Sequence, residues 1–91
     1  MCIIICKVNM FSNIQNIYVY DRDNNENILT HTVDLDNVAD VVCGLADRYN
    51  TDQIRLYSNL DYAQPIVEEI KSTGALAYGK NNLNVEVYQN V

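Results

Sequence analysis

A chain of ninety-one residues with a formal charge of −6, twelve Asp plus Glu against six Lys plus Arg, is long enough for one core and too short for two. Its 48% apolar content, with one Pro and three Gly, excludes a disordered chain. The acidic balance argues against a protein that wraps a phosphate backbone, because nucleic-acid affinity comes from clustered cations, and here no two of Lys7, Arg22, Arg48, Arg55, Lys71 and Lys80 are closer than seven residues.

The apolar start, Met1 to Cys6, gives way to Lys7 far short of the roughly 18–20 residues that span a bilayer. It also lacks the basic leader and small-residue cleavage site of a secretory signal. The expectation is a soluble cytoplasmic protein with no membrane and no nucleic-acid partner. Cys2, Cys6 and Cys43 match neither a zinc site nor a CxxC pair, so they read as free core thiols in a reducing compartment.

Residues 2–8 are apolar on both alternating faces, Ile3 and Ile5 against Cys2, Ile4 and Cys6, the pattern of a central strand buried on two sides. After a turn at 9–13, residues 14–21 set Ile17 and Val19 against Tyr18 and Tyr20. The polar run 21–27, with adjacent Asn residues that tolerate positive φ, predicts a hairpin into a third strand at 28–33. Asp34 or Asp36 can cap the helix that follows, whose stripe is Val38, Val41, Val42, Leu45, Ala46 and Tyr49. Gly44, inside that stripe, suggests close packing on the sheet.

Residues 53–57 form a short strand with Ile54 and Leu56 opposed to Arg55 and Tyr57. Ser58-Asn59 can cap a second helix with the stripe Leu60, Ala63, Ile66, Val67 and Ile70. Pro65 predicts a separate first turn at 60–63 and a regular helix from Pro65 onward, and Gly74 a carboxy-terminal cap. A turn at 79–82 leads into the last strand, 83–88.

Strand–helix–strand connections imply parallel neighbours, and right-handed crossovers that step the same way put both helices on one face. The expected fold is therefore a two-layer α/β (α+β) βββαβαβ domain, a five-stranded mixed sheet of order 3-2-1-4-5. Ile17, Val19, Ile54, Leu56, Val85 and Val87 would face the helices. Tyr18, Tyr20, Arg55, Tyr57 and Tyr88 would line the other face, and the central strand is expected to add Ile4 to it. Tyrosine and arginine are the types enriched at interaction hot spots, and a broad apolar face is not left to water in a small domain.

Residues 54–62, Ile-Arg-Leu-Tyr-Ser-Asn-Leu-Asp-Tyr, resemble the fourth strand and following helix of the ribonuclease H-like fold, where a strand ends in a Ser/Thr-Asp-Ser-like turn that enters a helix directly. The order βββαβαβ is also that fold's core. Active members carry a metal-binding Asp on the first strand, whereas residues 1–8 contain no carboxylate. Asn59 stands where the fourth strand's carboxylate would be, and the terminal helix that supplies another would follow Val91. The resemblance thus implies a catalytically degenerate variant, since two-metal chemistry needs several converging carboxylates.

Asp21, Asp23, Asp34 and Asp36 could gather an ion elsewhere, but their ordinary reading is as turn acids and helix caps. His31, the single histidine, reads as structural. The three glycines are isolated, no G-x-S-x-G nucleophile motif occurs, and Glu68-Glu69 reads as a solvated pair. No cofactor or metal is expected. The sequence therefore points to a non-enzymatic interaction protein, a homodimer or larger oligomer built on the tyrosine face. Its thirteen Asn and its acidity resemble small accessory proteins of AT-rich bacteriophages, which implies a host or defence protein as a further partner, or a part in assembly. The competing expectation is a metal-dependent nuclease or nucleotide-binding enzyme of ribonuclease H-like descent.

Overall fold

The structure, a computed structural model, describes residues 1–9 and 11–89. Strands β1 (Cys2–Lys7), β2 (Ile14–Asp21) and β3 (Glu26–Asp34) form an antiparallel meander, followed by helix α1 (Val38–Arg48), strand β4 (Gln53–Ser58), helix α2 (Leu60–Tyr78) and strand β5 (Asn84–Gln89). The five strands make one mixed sheet in the expected order β3-β2-β1-β4-β5, with β4 parallel to both β1 and β5.

Register explains the core. Ile4 lies opposite Val19 on one side and Ile54 on the other, and Cys6 opposite Ile17 and Leu56, so these six side chains share a face. All are at most 1% exposed, packed beneath Val42, Cys43 and Ala46 of α1 and Val67 and Ile70 of α2. Val85 joins this layer, whereas Val87 keeps the expected parity but stays exposed on the edge strand. Thr51 fastens the start of β1 to the loop after α1, donating from Oγ1 to the Cys2 carbonyl at 2.7 Å. Gln15, 1% exposed, closes the β1–β2 connection by accepting from the Asn9 amide and donating to the Asn9 and Ser12 carbonyls.

The β2–β3 hairpin turns at Asn25, whose φ of 54° is the positive value expected of an Asn there. Asp21 accepts from the Asp23 amide at 3.0 Å and the Asn24 side chain at 2.7 Å, and the Asn24 bond in particular holds its carboxyl below the usual carboxylate range. Neither Asp34 nor Asp36 caps α1. A 3₁₀ turn, Leu35–Asn37, intervenes and moves the helix start to Val38; Asp34, at the turn's entrance, makes no side-chain capping bond.

The second helix also departs from expectation. It runs unbroken through Pro65, which falls beyond the first turn and takes the amide partner only from the Asp61 carbonyl. Asn59 caps it, Oδ1 accepting from the Asp61 amide at 2.9 Å. Its end is Gly79 rather than Gly74: Gly79 has φ 64°, and Lys80 donates to the Gly74 carbonyl at 2.8 Å. Gly74 is buried inside the helix, where a β-carbon would lie 2.4 Å from Leu83 Cδ1 and only glycine fits without a shift. Gly44 likewise faces α2 instead of the sheet, with the Tyr78 hydroxyl 3.2 Å from where its β-carbon would be.

Candidate binding face

The odd residues of β1 and the residues opposite them form the helix-free face. Ile5 lies opposite Tyr18 and Arg55, Lys7 opposite Tyr57, and Ile3 opposite Tyr20. Glu86 and Tyr88 extend the same face from β5, opposite Arg55 and Tyr57. Tyr18, Tyr20, Arg55, Tyr57 and Tyr88 therefore sit where alternation placed them, all half-buried. Ile4 does not. It belongs to the helix side and is fully buried, because the register pairs it with Val19 and Ile54, and Ile5 takes the place beside the tyrosines.

Four of these residues are joined into one row by Lys7, which the sequence reading missed. The Lys7 Nζ lies 5.4 Å from the Tyr18 ring centroid and 5.9 Å from that of Tyr57. Tyr57 stacks on Tyr88 with centroids 5.1 Å apart and planes 21° from parallel, and the Arg55 guanidinium lies 5.8 Å from the Tyr88 ring. The signal for Lys7 was its parity with Ile3 and Ile5 within one strand. Tyr20 stands apart from the row, its hydroxyl hydrogen-bonded to the Asn25 side chain in the hairpin.

Electrostatically the row is short of anions. Glu86, its one carboxylate, accepts from the Tyr88 hydroxyl at 3.0 Å, which raises the Tyr88 pKa above its ordinary value. Among the described residues the ion pairs are the amino terminus with Asp23 and Lys80 with Asp52, so neither Lys7 nor Arg55 has a carboxylate partner there. The Arg55 Nε is moreover buried without any hydrogen-bond partner.

Elsewhere the chemistry is sparser. No group of three or more His, Cys, Asp or Glu side chains among the described residues could hold a metal ion. His31 is exposed on the edge strand β3, opposite Ile17. Burial pushes the Cys6 thiol up to about 12 and the Cys43 thiol to about 11, the latter donating to the Ile70 carbonyl. A cleft of about 270 Å³ opens between the 3₁₀ turn and α2, floored by Leu35, Val38, Tyr62 and Ile66, below the roughly 300–1,000 Å³ of most ligand pockets. No helix among the described residues is long and apolar enough to cross a membrane. No family model, curated protein or solved structure matches the chain.

Proposed function

We propose that this chain is a non-enzymatic interaction protein whose contact surface is the helix-free face of its sheet. The observation that carries the reading is the row Tyr18–Lys7–Tyr57–Tyr88–Arg55, three aromatic rings interleaved with two cations that lack carboxylate partners among the described residues. Tyrosine and arginine supply large contact area with polar tips, the combination that anchors interfaces. Its occupant is a second copy or a host protein, and the ribonuclease H-like element order serves on this reading as a scaffold without catalytic carboxylates.

The test compares wild type with a Tyr57→Glu/Tyr88→Glu variant and a Glu68→Gln control on the outer side of α2. Solution mass across the micromolar range reads self-association, and quantitative capture from the native source reads other partners. Loss of either in the tyrosine variant alone supports the reading, and equal association by all three overturns it. Magnesium- or manganese-dependent cleavage of nucleic acid, abolished by Asp21→Ala or Asp34→Ala, would replace it with the enzyme reading.

A further inference from the structure

We infer that the occupant of this face is an acidic segment of a different protein, with two carboxylates seated at Lys7 and Arg55 between the tyrosine rings. The inference rests on the contact-surface reading and names its partner chemistry. In a chain with twice as many acids as bases, both cations of this face lack an acidic partner among the described residues. The nearest carboxylate, Glu86, is turned to the Tyr88 hydroxyl. Arg55 keeps a buried Nε without a hydrogen-bond partner, and a small turn of its guanidinium off the Tyr88 ring offers Nε–H and one Nη–H side-on to an incoming carboxylate.

Charge distribution selects among occupants. The helix layer carries Asp40, Asp47, Asp61, Glu68 and Glu69 against Arg48 and Lys71, whereas the row on the sheet face sets Lys7 and Arg55 against Glu86, so the row is a local positive site on a negative molecule. A second copy docked face to face about a two-fold axis would offer Lys7 and Arg55 only the Glu86 of its own face, already turned to its Tyr88 hydroxyl. A long nucleic acid would meet the net charge of −6 beyond the face, whereas a short acidic segment meets the face alone. Lys7 and Arg55 lie two positions apart on neighbouring strands, so their attachment points are about 8 Å apart. That approaches the spacing of alternate side chains on an extended chain, about 7 Å, and favours a partner with acids at every second position.

The probe is a fluorescein-labelled peptide of alternating Glu and Leu, with its Lys/Leu counterpart and an oligothymidylate as comparisons, read by anisotropy at low and physiological salt. The expected result is that the Glu peptide alone binds, more weakly at higher salt, and that Lys7→Gln and Arg55→Gln each weaken it by about tenfold. Lys71→Gln on α2 should leave it unchanged. Thermal melts establish that the variants are folded, and Lys7, exposed, gives a second reading should Arg55→Gln unfold. Absence of Glu-peptide binding, binding indifferent to Lys7→Gln, or tighter binding of oligothymidylate overturns the inference. Self-association lost in Tyr57→Glu/Tyr88→Glu but kept in Lys7→Gln would also overturn it while leaving the contact surface standing.

Discussion

Tyr57 and Tyr88 are register partners on parallel strands, and their rings stack 5.1 Å apart on the helix-free face. The pair ties edge strand β5 to β4 where no helix covers them. A double-mutant cycle of Tyr57→Ala and Tyr88→Ala, measured by urea unfolding, should give a coupling of about 0.5–1.5 kcal/mol. Additive effects would mean that the rings contribute only as separate strand residues.

The Cys6 thiol makes stability fall in alkali. Its native pKa is pushed up to about 12 from an ordinary value of 9.0, so as pH rises the unfolded chain loses this proton first. The contribution is intact below the ordinary value and is lost between it and the native one, at roughly 1 kcal/mol per pH unit. Cys6→Ala should flatten the decline of unfolding free energy above pH 9 by that slope. At pH 8 an alkylating reagent should label half-buried Cys2 well before buried Cys6 and Cys43 in the native protein, and equal rates would refute the burial argument.

The helical glycines should respond in opposite directions to alanine. Gly74→Ala forces a β-carbon to within 2.4 Å of Leu83 Cδ1 and 3.4 Å of the Lys80 carbonyl, so it should destabilise by about 1–3 kcal/mol, relieved in part in a Leu83→Ala background. Gly44→Ala meets only the Tyr78 hydroxyl at 3.2 Å, on a half-buried side chain that can shift, and should be neutral or gain up to about 1 kcal/mol of helix propensity. Chemical denaturation of both variants decides, and a stable Gly74→Ala would disprove the close packing.

Pro65→Ala should stabilise the protein by about 1–3 kcal/mol, since it restores an amide partner to the Asp61 carbonyl within a helix that is already continuous. A loss of stability would show that the proline ring contributes more to the cleft beside Ile66 than the missing hydrogen bond costs.

The crossover connections were enough to read the sheet order, and alternation the face of each strand tyrosine, because β2, β4 and β5 each oppose one kind of side chain to another. β1 is apolar on both faces, so parity alone could not say whether Ile4 or Ile5 joins the tyrosines, and only the register with Tyr18 and Arg55 decides. Lys7 was hidden for the same reason. The helix ends were less legible because competing signals stood close together: Asp34, Asp36 and Asn37 around the 3₁₀ turn, and Gly74 and Gly79 at the end of α2. Tertiary contact with Leu83, absent from local pattern, explains why a glycine stands at position 74 inside the helix.

The parallel pairing of β1 with β4 joins residues fifty positions apart, as in Ile4 with Ile54, while short connections close β1, β2 and β3. The kinetic barrier to folding thus falls on the two parallel closures, and the longer of them, β1 with β4, spans α1. Until it occurs the meander is an unfinished sheet whose most apolar strand is its edge. During that interval the edge of β1 is open to pairing with other chains, whereas in the native sheet β4 covers it.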